Sequence, residues 1–363
     1  MITEKLTNIR IIMQSEKIDL VAIGPTAYFK WLVGQPIHGD ERPCFILVSK
    51  SKAAILLPAV NIGDPNIFKG LKFFKWTDEK GYKAAFNQML DYLQLGTVQH
   101  VSIDEGMRTD FSYLILNKFP NAQKSLTSKN IAQLRMCKTE KEYQELKLNS
   151  NYADQAINSI SQNFKQGMTE VDVAEIIIKC FTKNGAKPAF TIVATAKNGA
   201  SPHHMTGDNV IENNAGLLVD IGCKYGQFSS DITRMFYIGK PSKKYLEIHK
   251  IVERAVQAAL KASRVGAIAS DIDKAARDVI TKAGYGEFFI HRTGHGLGVE
   301  PHELPYISAG SDTILEAGMV FSIEPGIYLP NEFGVRLEEI IYLREDGPEI
   351  LSNLSRDLVR MDT

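Results

Sequence analysis

Cysteine is scarce in this sequence: Cys44, Cys137, Cys180 and Cys223 are the four among 363 residues, they lie far apart, and no C-x-x-C occurs. That excludes a disulfide framework, a zinc ribbon and a redox pair, and leaves reduced thiols as the expectation. Net charge is missing too, because 42 basic residues balance 42 acidic ones. Without a global field to attract a phosphate backbone or an anionic leaflet, no nucleic-acid and no membrane partner is expected. No run approaches the roughly 18 apolar residues of a membrane span. Residues 1–10 interrupt their apolar positions with Glu4, Lys5 and Arg10, unlike a secretory signal. A soluble cytoplasmic protein is expected.

What is present is an ordinary globular composition, 44% hydrophobic and 23% charged, over a length that suits roughly two domains. Early in the chain, Leu6, Ile9, Ile12 and Met13 have helical spacing and residues 20–23 read as a strand. Residues 45–48 and 54–57 are short apolar runs, and 82–93 and 111–119 carry helical patterns. This alternation predicts a small α/β domain over residues 1–132. The polar stretch 124–130 breaks the pattern. Beyond it, Thr139 stands three residues before Glu142, a capping box that opens a long helix, so a second domain is placed at 133–363. The class is α/β (α+β).

The second domain contains an internal repeat. At a shift of 99 residues, Gly167, Asp172, Thr182, Lys183 and Gly185 fall on Gly266, Asp271, Thr281, Lys282 and Gly284, each set reading as a helix closed by glycine. Each is followed by an apolar strand that begins with glycine and carries an acid near its end, Gly216-Leu-Leu-Val-Asp220 and Gly318-Met-Val-Phe-Ser-Ile-Glu324. A second strand then brings another acid, Asp231 and Glu338 respectively. The same order twice predicts a pseudo-twofold domain. If its halves face each other, four carboxylates converge, and burying four like charges costs several kcal/mol each unless cations neutralise them. A pair of divalent metal ions is the natural resolution.

Histidine is concentrated where it would complete such a site: His203, His204, His291, His295 and His302 are five of the eight, while His38, His100 and His249 are read as structural. His291 and His295 have the i, i+4 spacing of a zincin helix, but Gly294, Gly296 and Gly298 forbid that helix and no Glu follows His291. Gly294-His-Gly-Leu-Gly298 also lacks the G-x-G-x-x-G order of a dinucleotide loop. Its glycines are expected to let backbone crowd a ligand.

Together these pieces resemble the creatinase, aminopeptidase P and prolidase family of pita-bread metallopeptidases. The resemblance rests on Leu218-Val-Asp220-Ile-Gly222, Ser230-Asp231-Ile-Thr233-Arg234, His291-x-x-Gly294-His295-Gly-x-Gly298, His302-Glu303-x-Pro305, Glu324-Pro-Gly-Ile-Tyr328 and Gly334-Val-Arg336-Leu-Glu338, in that order. It implies an N-terminal creatinase-like α/β domain and a C-terminal pita-bread domain. It further implies Asp220, Asp231, His295, Glu324 and Glu338 as ligands of two divalent metal ions, with Asp231 and Glu338 bridging them. A bridging hydroxide between ions about 3.5 to 4 Å apart would then be the nucleophile. Four carboxylates and one imidazole make a largely hard site that suits manganese, with cobalt, iron or zinc as alternatives.

His203, His291 and His302 are similar in position to the family's substrate-contacting histidines, which donate to a forming oxyanion at about 3 kcal/mol per donor; His302 is the first choice. Glu324 would also shuttle a proton to the leaving nitrogen. Arg336, two residues before Glu338 and therefore on the same face of one strand, would bind a substrate carboxylate or orient Glu338. His204 stands where the family usually has glycine after its Pro-His pair, and Glu339 where aspartate is common. The implied activity is hydrolysis of small peptides with proline after the scissile bond, by a prolidase or an aminopeptidase P, in a homodimer. Proline's imide has no N–H, so a shaped, histidine-lined site around its ring is useful. The alternative is a non-peptide small amide, as in creatinase or ectoine hydrolysis.

Overall fold

The computed structural model describes residues 2–361. They divide between Arg135 and Met136 into two compact units. The first carries a mixed six-stranded sheet in the order β4-β3-β2-β1-β5-β6, from β1 (Leu20–Ile23), β2 (Phe45–Ser49), β3 (Ala53–Pro58), β4 (Lys72–Trp76), β5 (His100–Ile103) and β6 (Gln123–Leu126). Its helices are α1 (Ile2–Ser15), α2 (Ala27–Val33), α3 (Lys83–Leu93) and α4 (Thr109–Leu116). Leu6, Ile9 and Met13 of α1 are buried, as their helical spacing requires. Phe45, Phe86 and Phe111 meet in the core beside Leu20, Leu47 and Ile103. The polar stretch read as a break contains β6, which pairs in parallel with β5. As an edge strand with mostly exposed side chains it needs no apolar run, so its sequence carries no strand signal.

The second unit realises the repeat. α5 (Gln133–Met136) is a single turn at the division, and α6 (Glu140–Asn163) opens on the Thr139/Glu142 capping box. Then follow α7 (Glu170–Lys183), β7 (Lys187–Thr195), β8 (Gly216–Tyr225), β9 (Phe228–Ser229), β10 (Ile232–Ile238), α8 (Lys243–Ala262) and α9 (Ala269–Lys282). The remaining strands are β11 (Gly294–Gly296), β12 (Glu303–Ile307), β13 (Val320–Ile323), β14 (Gly326–Leu329), β15 (Phe333–Arg336), β16 (Glu339–Arg344), β17 (Gly347–Ile350) and β18 (Val359–Met361). α7 and α9 correspond residue for residue at the 99-residue shift. Gly167 and Gly266 have φ of 87° and 83°, and Gly185 and Gly284 have 73° and 88°. Side chains with a Cβ rarely adopt that left-handed backbone, which is why glycine recurs at both pairs.

One sheet has the order β18-β10-β8-β7 with β9 on β8, the other β12-β11-β13-β16-β17, and β14-β15 form a hairpin. Leu217, Val219 and Ile221 of β8 pack with Ile157 and Ile160 of α6 and Phe181 of α7. Leu218, on the opposite face, packs with Ile248 and Val252 of α8 and Phe321 of β13. Both faces of β8 are therefore covered, and its sequence is apolar almost throughout rather than alternating. The halves meet where the Glu338 N–H donates to the Thr233 carbonyl at 3.3 Å.

Candidate metal centre and substrate cavity

The fold sets each candidate side chain at a strand or its margin. Asp220 is in the middle of β8, not near its end as read from sequence, because the strand continues through Ile221 to Tyr225. Asp231 and Glu338 each stand one residue before a strand, β10 and β16, and Glu324 stands one residue after β13. Arg336 ends β15 while Glu338 lies beyond it, so the two do not share a strand, contrary to the sequence reading. His295 is the centre of β11. A Cβ on Gly294 would collide with the Ser322 carbonyl, one on Gly296 with the Leu304 carbonyl, and one on Gly298 with the Glu303 carboxylate. These glycines admit neighbouring strands and side chains of the fold.

His203, Asp220, Asp231, His291, His295, His302, Glu324, Arg336 and Glu338 all line one cavity of about 640 Å³. Asp231, His295 and Glu338 each offer a ligand atom within 4.8 Å of the others. Burial, and then the charge of Glu338, push the Asp231 carboxyl well above its ordinary range; burial, and then Glu324, do the same to Glu338. Burial raises Asp220 as well, against the opposing pull of Arg336. Burial would raise Glu324, but the hydrogen bond from His295, at 3.0 Å, and its charge hold that carboxyl at about 2. Crowded carboxylates of this kind call for cations. Asp220 Oδ1 and Glu338 Oε1 are moreover buried with no hydrogen-bond partner among the described residues, and an orphaned carboxylate oxygen is what a metal ligand leaves when the protein alone is considered. The donor set fits hard divalent ions. His295 directs Nδ1 at the Gly296 carbonyl, 3.1 Å away, which fixes the ring and turns Nε2 toward Asp231 and Glu324.

Arg336 is buried and makes four hydrogen bonds. It donates to Asp220 Oδ2 at 2.6 Å, to Thr233 Oγ1 at 3.2 Å, to the Tyr328 hydroxyl at 2.8 Å and to the Pro202 carbonyl at 3.4 Å. Thr233 in turn donates to Glu338 Oε2 at 2.8 Å. The guanidinium thus holds one acid directly and another through a hydroxyl. Tyr328 extends the chain to His291 Nε2 at 2.8 Å, and His291 Nδ1 faces the Arg292 carbonyl at 2.7 Å. A carbonyl only accepts, so Nδ1 carries the proton and Nε2 accepts from Tyr328. Burial, which lowers the His291 pKa, favours that neutral ring. His291 therefore has no free N–H for an oxyanion. His302 and His203 are both exposed, and the His302 ring centroid lies 3.9 Å from that of His295.

Sequence reasoning missed Thr233, Tyr328 and Arg292. Thr233 and Tyr328 lie within motif strings, but only the bonds to Arg336 give them a role. Arg292 lines the cavity with its guanidinium 4.5 Å over the Tyr306 ring and has no carboxylate partner among the described residues. His204 turns away from the acids to bond Glu170 at 2.8 Å. Glu339, buried, pairs with Arg234 at 2.8 Å and Arg356 at 3.0 Å.

The model of Metallopeptidase family M24 matches residues 144–345, and the chain belongs to this family, that of creatinase, aminopeptidase P and prolidase. Membership implies divalent metal ions. The chain is 38% identical over 358 residues to the Xaa-Pro dipeptidase of Lactobacillus delbrueckii subsp. lactis, covering 95% of this chain and 96% of the relative. Its likeness to the "Probable dipeptidase PepE" of Mycobacterium tuberculosis is 40% over 231 residues, 63% of this chain and 62% of that one, so this match spans less than two thirds of the relative. The crystal structure of a prolidase from Thermococcus sibiricus aligns with a TM-score of 0.92 at 30% identity over 99% of both chains. The α/β pita-bread fold expected from sequence is borne out. No helix among the described residues is long and apolar enough to cross a membrane.

Proposed function

We propose that the protein is a two-metal peptidase that hydrolyses Xaa-Pro bonds in short peptides, with manganese as its working ion. The observation that carries this reading is the pair of buried, unpartnered oxygens on Asp220 and Glu338, in a cavity with Asp231, His295 and Glu324. These five side chains would hold the ions, with Asp231 and Glu338 shared between them. When bound, such ions polarise a carbonyl and bring a water's pKa near neutrality. Arg336 holds Asp220 directly and Glu338 through Thr233. His302 donates to the carbonyl oxygen as it becomes an oxyanion, with His203 beside the substrate. The Glu324 carboxylate receives a proton and passes it to the leaving nitrogen.

Because Arg336 is buried and bonded to Asp220, Thr233, Tyr328 and Pro202, a substrate carboxylate would meet Arg292 instead, which lines the same cavity and favours a dipeptidase. A cytoplasmic homodimer is the assembly we assign, on the family resemblance and the four unbridged cysteines. The test is to assay chelated and manganese-reloaded protein on Gly-Pro, Ala-Pro and Ala-Pro-Ala. Metal-dependent cleavage with preference for the dipeptides is expected. Full activity in metal-free protein, or cleavage of none of the three, refutes the reading.

A further inference from the structure

Among the described residues His203 has no hydrogen-bond partner, and its side chain is exposed at the cavity. Its position depends on its neighbours in the chain. On one side, the Pro202 carbonyl accepts from Arg336 at 3.4 Å. On the other, His204 Nε2 lies 2.8 Å from Glu170 Oε2. Glu170 is the first residue of α7 and is fully buried. Besides His204, its carboxylate accepts from the Thr195 N–H and the Asn198 amide, both at 2.8 Å, the Gly207 N–H at 3.1 Å and the Asn209 amide at 3.2 Å. Five donors from one segment, residues 195–209, converge on one carboxylate.

Main-chain bonds run along the same seam, from Glu170 N–H to Asn209 O at 3.0 Å and from Val171 N–H to Gly207 O at 3.2 Å. Burial raises the Glu170 carboxyl, but these hydrogen bonds outweigh it and set the pKa below the ordinary value, so the group is charged at neutral pH. A carboxylate is an acceptor throughout, and an amide in its place turns a donor on at least one of these five.

We propose that Glu170 is a positioning residue for substrate binding, clamping the 195–209 loop, with His204 as one arm of the clamp, so that His203 is held at the cavity. This rests on the reading that His203 meets the substrate, and it goes beyond that reading in assigning the loop's geometry to a carboxylate outside the cavity. A clamp of this kind acts only through His203. Removing it costs nothing further once His203 is gone.

A double-mutant cycle tests it, using Glu170→Gln and His204→Ala, each alone and combined with His203→Ala, in the metal-loaded full chain with Ala-Pro. Glu170→Gln is expected to lower kcat/KM about tenfold, within the coupling range of residues in one hydrogen-bond network, mainly through KM. It is expected to have almost no effect in the His203→Ala background. His204→Ala is expected to follow the same pattern more weakly, and it carries the cycle if Glu170→Gln fails to fold. Equal losses in both backgrounds would overturn the proposal, as would a His203→Ala enzyme indistinguishable from the parent. Amide hydrogen exchange of residues 199–207 is a readout that needs no substrate. Faster exchange there, with α7 still protected, is expected in both single variants, and unchanged exchange overturns the clamp even if the peptidase reading itself has failed.

Discussion

Arg336→Met isolates the electrostatic logic of the centre. The substitution keeps a buried apolar stem and removes four hydrogen bonds at once, those to Asp220, Thr233, Tyr328 and Pro202. Asp220 Oδ1 already lacks a partner, so without Arg336 the whole carboxylate is buried among like charges. Removing one partner of a buried pair costs about 3–5 kcal/mol. For a unit of this size each kcal/mol is worth about 2–4 °C, so chelated protein should lose about 6–20 °C in Tm. Bound divalent ions supply opposite charge to the same carboxylate, and the loss should shrink in metal-saturated protein. Arg336→Lys keeps a charge near Asp220 but not the fork to Thr233 and Tyr328, and should fall between. Differential scanning calorimetry of the three proteins, chelated and manganese-loaded, measures both effects. A loss in chelated protein no larger than that of a surface substitution, or an equal loss in the two states, would refute the reasoning.

Other outcomes follow from the same geometry. Asp231→Ala and Glu338→Ala should each lose at least one ion per chain by plasma emission analysis, since each is assigned to both ions; retention of two would reject that assignment. His302→Ala should lower kcat about 100-fold with metal content unchanged, whereas His295→Ala should strip metal, and the opposite pattern would exchange their roles. Partial burial and the neighbouring His295 hold His302 at about 4, below the ordinary histidine value. It is thus neutral from about pH 6 upward, and the rate profile of His302→Ala should keep its shape there; a lost ionisation near neutrality would contradict this. Arg292→Ala should raise KM for Ala-Pro far more than for Ala-Pro-amide, and equal changes would remove Arg292 from carboxylate recognition.

Much of this protein is legible in one dimension where the physics is local. The capping box at Thr139 and the glycines at 167, 185, 266 and 284 signal helix ends, because hydrogen bonds three residues apart and left-handed backbone depend on adjacent residue types. The order of acids and histidines, read as a repeat and a resemblance, brought forward nine side chains that the fold gathers around one cavity. Edge strand β6 was not legible, since an exposed strand has no apolar pattern to show.

Nor were the roles of Thr233, Tyr328, Arg292, Glu170 and His204. Thr233 and Glu338 bond across 105 positions, Arg336 and Asp220 across 116, and Glu170 and His204 across 34. What decides whether Arg336 meets substrate or holds Asp220, or whether His291 has a proton to give, is which donors find acceptors after β8, β10, β14 and β15 are assembled. The repeat and the family resemblance, both readable in one dimension, brought forward the candidate ligands. The direction of each hydrogen bond around them exists only once the chain has closed, because that direction depends on distances between residues that no local pattern connects.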